Sequence, residues 1–354
     1  MLIFFKNLFR AELAKPLVVK NFFIKDIKEG IKYNLGNKNK NKIFYIIRRK
    51  FSPSGLFSNL TFVVNNLLYA KKKNYIPFVD MQNFTTIYNE NKKINKTFNS
   101  WEYYFKQLTN YQIKNIYQSE NVIFSSGVFK RNFSKDLFYL SKNKEIRIIK
   151  NKFLKIRNNY LIESKKRMKI LFKKKKILGV LIRGTTQKIA ANHQLPIKFS
   201  ELTTVIKKIL KKENCHKIFL VTEDLEYFNF LKNKFQNIIL FNKSTRFLKK
   251  PFSMHSINES NLINNTHNNS RFNLGKEVLI DMIMLSNCNI LLSSDSNVGK
   301  AAVFFNKKIS KLYLIESEKN SNNPFIARWL WYFKNYFSFL FGSVKYKVKK
   351  FNLM

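Results

Sequence analysis

The chain has 354 residues, 45% apolar and 16% aromatic, enough for about two domains with buried cores and too apolar and aromatic for a disordered chain. Sixty-six Lys and Arg against 21 Asp and Glu give a formal net charge of +45, a field that attracts nucleic acid, anionic membrane surfaces or phosphorylated substrates. The two cysteines, Cys215 and Cys288, are far apart and lack CxxC spacing, which excludes a disulfide scaffold or a cysteine zinc site and fits a reducing cytoplasm.

The basic residues run all along the chain, in clusters such as Lys71–Lys73, Lys173–Lys176 and the tail from Lys345 to Lys350. Only eleven of the 66 are Arg, the residue suited to bidentate phosphate contacts and base reading, so the charge reads first as a compositional bias. A peripheral contact with an anionic membrane stands as the next reading, and nucleic-acid binding as the alternative after it. The apolar start of the chain is interrupted by Lys6, Arg10, Glu12 and Lys15 and is not a secretory signal. No run reaches the 18 apolar residues of a spanning helix.

In chain order, the first half predicts a helix over Phe57–Ala70 entered after Gly55, and a strand over Tyr75–Val79 ending at Asp80. A helical segment over Trp101–Leu108 follows, then a mixed stretch from Glu120 to Arg167 that ends in a basic helix. The second half alternates more regularly. Buried strands are expected at Ile177–Ile182, Lys217–Thr222, Asn237–Phe241, Asn289–Ser293 and Lys311–Ile315. Between them lie helices after Ser200 as N-cap, over Leu225–Phe235, over Lys276–Asn287 and over Asn297–Phe305, with a polar loop over Lys243–Leu274. That alternation predicts an α/β fold with a parallel sheet in the second of two lobes. The aromatic stretch Trp329–Val344, followed by lysines, suits either a helix lying in a headgroup layer or one packed on the core. The expected domains are 1–165, 166–316 and a helical tail over 317–354.

Ligands of open α/β sheets bind outside the carboxyl ends of the strands, and three groups of residues fall there. Arg183 and Gly184 follow the first strand of the second half, where a guanidinium beside a glycine suits phosphate oxygens. Thr222, Glu223 and Asp224 end the second strand, placed either to hydrogen-bond a ligand or to cap the following helix. Ser294, Ser296 and Asn297 lie between the strand at 289–293 and the next helix, a helix start that offers N–H groups to an anion. The lone His193 has no metal spacing around it, and neither a GxSxG nor an HExxH run is present.

In order and spacing, GVLIRGTT from Gly179, FLVTED from Phe219 and EVLIDMIMLSNCNILLSSDSNVGKAA from Glu277 resemble the donor-site blocks of the fucosyltransferase superfamily, in particular the α-1,6 and nodulation fucosyltransferases. The segment from Gly55 through YIPFVDMQN to NSWEYYF is similar to their amino-terminal lobe. The resemblance spans roughly residues 50 to 315. It implies a two-lobed GT-B-like glycosyltransferase with a Rossmann-like carboxyl-terminal donor lobe. It further implies inverting transfer from a GDP-sugar, usually GDP-fucose, to a glycan or glycolipid hydroxyl, with no metal and no other cofactor. Arg183 then matches the arginine at the donor diphosphate, Glu223 and Asp224 the acidic pair, Asp281 the aspartate of the third block, and Ser296 a serine near the phosphates.

Three positions depart from that pattern: Leu181 where histidine is frequent, Thr186 where an aspartate is familiar, and Ala191 near the place of the glutamate proposed as general base. His193 is the candidate base in its stead. Asp80 and Trp101 are expected to shape the acceptor side. A catalytically inactive relative that still binds a nucleotide sugar is the remaining alternative.

Overall fold

The runs FYII, IPFV and VIF are short, apolar and rich in β-branched and aromatic side chains, the composition of strands buried on both faces. In the computed structural model, which describes residues 27–49, 54–127, 136–244 and 270–353, they form one parallel sheet. The amino-terminal apolar stretch and the greater part of the polar loop, with His255 and His267, lie outside the described residues. The chain divides into two compact units, Met1–Tyr160 with His255–Leu279, and Leu161–Met254 with Ile280–Met354.

The first unit holds β1 (Lys32–Tyr33), β2 (Phe44–Ile47), β3 (Ile76–Val79) and β4 (Val122–Phe124) in the order β1-β4-β2-β3. Strands β4, β2 and β3 are parallel, with Ile46 opposite both Phe78 and Phe124, and β1 pairs antiparallel with β4. Helix α1 (Leu56–Lys72) enters after Gly55, as its pattern predicts, and buries Phe57, Leu60, Val63, Val64 and Leu67. Helix α2 (Ser100–Tyr104) is shorter than the aromatic pattern suggested. Phe105 turns extended and bridges to Ile156, and Lys106 donates its N–H to the Lys155 carbonyl at 2.7 Å. Helices α3 (Ile113–Ile116), α4 (Leu137–Ser141) and α5 (Lys144–Phe153) follow, and α6 (Asn158–Phe172) is the basic helix read at the end of this half.

The second unit contains β5 (Ile177–Leu181), β6 (Lys217–Val221), β7 (Ile239–Leu240), β8 (Ile290–Ser294), β9 (Lys311–Ser317) and β10 (Tyr346–Asn352). Their order is β10-β9-β8-β5-β6-β7, all parallel except β10. The helices of this half of the chain are α7 (Thr185–Ile189), α8 (Phe199–Lys212), α9 (Leu225–Phe235), α10 (Ser270–Leu285), which belongs to the second unit only from Ile280, α11 (Asn297–Phe304), α12 (Pro324–Tyr336) and α13 (Ser338–Phe341). From β5 the chain builds outward through β6 and β7, then restarts on the other side of β5 with β8 and β9. The order therefore reverses between β5 and β8, the switch point beside which ligands of open α/β sheets bind.

Two local readings change. Helix α8 begins at Phe199 with Lys198 at its N-cap, so Ser200 lies inside the helix and its carbonyl accepts the Thr204 hydroxyl. The tail beyond residue 316 is helical only in part. Its lysine-rich end is β10, paired along its whole length with β9 from Tyr346 opposite Ser317 to Asn352 opposite Lys311. Lys345, Lys347 and Lys349 are exposed while Val344 is buried and Tyr346 and Val348 pack against the core, a period-2 pattern with lysines on an edge strand.

Helix α12 is anchored by Trp331, which is fully buried in the core of the second unit and donates its indole N–H to the Pro196 carbonyl at 2.9 Å. Truncating so large a side chain leaves a cavity that a packed core refills poorly, so Trp331→Ala should cost about 3–5 kcal/mol. Trp329, 53% exposed on the same helix, should tolerate alanine within about 0.5 kcal/mol. Urea unfolding of the two variants measures the difference; equal midpoints would contradict this anchoring.

Candidate functional site

At this switch point, β5 ends at Leu181 and the chain leaves through Ile182, Arg183 and Gly184 into α7. On the other side β8 ends at Ser294, and Ser296 caps α11. The two turns touch: the Arg183 N–H donates to the Ser294 hydroxyl at 3.3 Å, and the Gln187 amide reaches the Asp295 carbonyl at 3.5 Å. The Ser296 hydroxyl accepts the Gly299 N–H at 3.2 Å. The N–H groups of Asn297 and Val298 precede the first intrahelical bond, which runs from Lys300 to the Ser296 carbonyl. Asn297 is exposed, Ser294 is part-buried, and the Arg183 side chain keeps 25% of its surface. A fixed cation and a helix start thus share the reversal point, an arrangement suited to a phosphate-bearing ligand.

The acidic pair at the end of β6 is split. Glu223 turns toward the β5 turn, where one of its oxygens accepts the Gly184 N–H and the Thr185 hydroxyl, each at 3.3 Å, and lies 3.6 Å from Arg183 Nε. Asp224 turns away. It caps α9 by accepting the N–H groups of Glu226 and Tyr227, and takes a 2.6 Å ion pair from Lys188. Thr222, 4% exposed, accepts the Asp224 N–H on its hydroxyl. Of the two roles left open for this pair, Asp224 takes the helix cap and Glu223 faces the arginine.

Lys188 is the part of this site that sequence reasoning missed. Its ammonium is 3% exposed, pairs with Glu226 at 2.7 Å as well as with Asp224, and lies 4.5 Å from the Trp331 ring and 5.3 Å from that of Tyr227. A buried charge persists only when paired, and here two carboxylates and two ring faces surround it. No local signal marks it among 55 lysines; its acidic partners lie 36 and 38 residues downstream.

Gly184 is required by the same crowding. A Cβ at this position would overlap the Asp224 carboxyl, which three partners hold in place. Gly299 is likewise needed where α11 crosses Ser293 and Leu181.

His193 lies in the loop after α7 and is exposed. Its backbone carbonyl accepts the Asn320 N–H at 2.7 Å, and partial desolvation, then the Arg183 charge, holds the imidazole below its usual pKa. Asp281, on α10, is 8% exposed and accepts the Asn242 amide at 2.6 Å. In the first unit, Asp80 and Trp101 do not line a surface. Asp80 is fully buried and saturated by the Tyr117 hydroxyl at 2.6 Å, the Asn83 amide and two backbone N–H groups. Trp101 is 2% exposed, stacks on Phe105 and donates to the Lys106 carbonyl. Both hold the fold. Among the described residues no group of three His, Cys, Asp or Glu is placed to hold a metal ion.

No protein-family model and no curated protein matches the chain. Solved structures do. The chain resembles fucosyltransferases. It is similar to NodZ, an α-1,6-fucosyltransferase of Bradyrhizobium co-crystallized with GDP, at 14% identity and a TM-score of 0.48, covering 77% of this chain and 95% of that one. A point mutant of FUT1 from Arabidopsis thaliana in complex with GDP matches at 11% identity and a TM-score of 0.41, over 79% of this chain and 72% of that one. POFUT1 in complex with GDP matches at 9% and 0.40, over 75% and 95%.

Removing one partner from a buried ion cluster strands the others, so Lys188→Ala should destabilise the protein by about 3–5 kcal/mol. Gly184→Ala should cost about 1–3 kcal/mol through overpacking. Denaturant midpoints check both; values near wild type for Lys188→Ala would mean that the cluster carries no net stability.

Proposed function

We propose that this protein is a metal-independent inverting glycosyltransferase that transfers fucose from GDP-fucose to the hydroxyl of a glycan or glycolipid. In this reading the fold is GT-B-like: the second unit, with its Rossmann-like strand order, binds the donor, and the first serves the acceptor. The observation that carries it is the contact, at the sheet's reversal point, between the Arg183 turn and the end of β8 that leads into α11, through the 3.3 Å bond from the Arg183 N–H to Ser294. The nucleotide base and the sugar come from the resemblance of the sequence blocks.

The chemistry follows from what those groups do to charge. As the acceptor oxygen attacks the anomeric carbon from the face opposite the phosphate, the bond to the diphosphate breaks and negative charge builds on its oxygens. Arg183, held near Glu223, and the N–H groups of Asn297 and Val298 supply positive charge that needs no rearrangement at that moment. Glu223 steadies the guanidinium by its 3.6 Å contact with Nε. Gly184 lets the backbone come close. Thr222 and Asp224 build the turn from within, and Asp281 secures α10 to the segment after β7. His193 takes the acceptor proton. Its lowered pKa keeps the imidazole neutral at pH 7, the form a base requires.

Release of GDP from GDP-fucose, with and without a glycan acceptor and in the presence of a chelator, tests this reading. Activity should persist with the metals removed, and Arg183→Ala should lower kcat/KM by about 100-fold or more. Because the imidazole must be neutral, the rate should fall on the acid side, at a pH below the ordinary histidine range, and His193→Asn should abolish that limb. An unchanged pH profile in His193→Asn would remove the histidine from the mechanism. Full activity in Arg183→Ala would overturn the donor site.

A further inference from the structure

Helix α12 presents two unlike faces. Ala327 and Trp331, one turn apart, are buried, and Lys334 one turn further pairs with Glu318 at 2.6 Å. The opposite face, where a surface helix ordinarily carries charge, is apolar: Phe325, Trp329, Phe333 and Tyr336 follow one another at helical spacing, 73%, 53%, 40% and 57% exposed. Helix α13 continues it with Phe339 at 80% and Leu340 at 69%. Nine of the sixteen exposed large hydrophobic side chains among the described residues fall within residues 325–341, a concentration that marks an interaction surface.

The charge beside this face selects the partner. From Lys319 to the end of the sequence there are seven Lys and Arg and no Asp or Glu. Lys345, Lys347, Lys349 and Lys350 are exposed on and beside β10, and Lys345 adjoins α12 through Glu318, which accepts both its N–H and the Lys334 ammonium. A two-fold contact with a second copy would set this basic strand against itself. With 13 residues, α12 is far too short to cross a bilayer. Glu318, and Glu316 reached by Lys347 and Lys349 at 3.6 and 2.8 Å, are the carboxylates beside these lysines and are outnumbered. Exposed aromatics on one face with an excess of lysines alongside are the features of a helix that lies in the headgroup layer of an anionic membrane.

We propose that α12 and α13 dock the protein on anionic bilayers, Phe325, Trp329, Phe333 and Tyr336 entering the headgroup layer and the β10 lysines contacting lipid phosphates. This surface does not depend on the role given to Arg183.

The chain carries its own probe. Of its three tryptophans, Trp101 and Trp331 are 2% and 0% exposed, so Trp329 alone faces solvent. The full chain should co-sediment with vesicles of phosphatidylcholine and phosphatidylglycerol, and much less with phosphatidylcholine alone, with a blue shift of Trp329 emission that brominated lipid quenches. The triple substitution Phe325→Ser, Phe333→Ser and Tyr336→Ser keeps Trp329 as reporter and lies on exposed positions. It should leave the urea midpoint unchanged while weakening vesicle binding by more than about tenfold. Lys347→Glu with Lys349→Glu should weaken binding to anionic vesicles only. Because the whole chain is cationic, vesicle binding that survives the triple substitution without a blue shift would be charge attraction alone and would overturn the proposal. A concentration-dependent dimer that the triple substitution abolishes, with no blue shift on vesicles, would assign the face to a second copy and overturn it equally.

Discussion

Lys188 holds together three parts of the second unit that are distant in the chain. A lone ammonium 3% exposed would be expelled or neutralised; this one is kept by Asp224 at 2.6 Å, Glu226 at 2.7 Å and the rings of Trp331 and Tyr227. It rides on α7, directly after Arg183 and Gly184. Its carboxylates open α9 at the end of β6, and Trp331 belongs to α12. The cluster therefore sets the distance between the β5 and β6 turns, and with it the close approach that only Gly184 allows.

The consequence for chemistry lies in how the two acids are divided. Asp224 is engaged by Lys188 and by the cap of α9, and Glu223 faces Arg183. The Glu223 carboxylate lies 3.6 Å from the guanidinium Nε and steadies the cation at the strand end. The same lysine fixes Trp331, and Trp331 fixes the rotation of α12. That rotation turns Trp329 and Phe333 outward. The proposed donor site and the proposed membrane face thus share one structural support.

Much of the second unit is legible in its sequence because its strands are continuous apolar runs between turn residues, and ILGVL, KIFLV and ILLSS are found where they are expected. Helix α9 begins and ends on the expected residues because Asp224 caps it. What fails is what depends on distant partners. Strand β10 reads as a basic tail, since lysines at alternate positions hide a strand that packs Tyr346 and Val348 against the core. The helix over Trp101–Leu108 stops early because Phe105 is captured by Ile156, fifty-one residues on. Asp80 reads as a strand-end acid facing a ligand, yet Tyr117 closes over it. The acidic pair at 223 and 224 reads as one feature, and only the position of Lys188 shows that its members face different ways.

The central claim is that Arg183 and the start of α11 form the diphosphate site of a guanine nucleotide sugar. Calorimetric titration with GDP, GDP-fucose and UDP at moderate salt, on wild type and Arg183→Ala, tests it most directly. The account predicts preference for the guanine ligands over UDP and a loss of about 1.5–3 kcal/mol of binding in Arg183→Ala, the worth of a charge-assisted hydrogen bond. Equal binding of GDP and UDP, unaffected by the substitution, would contradict it.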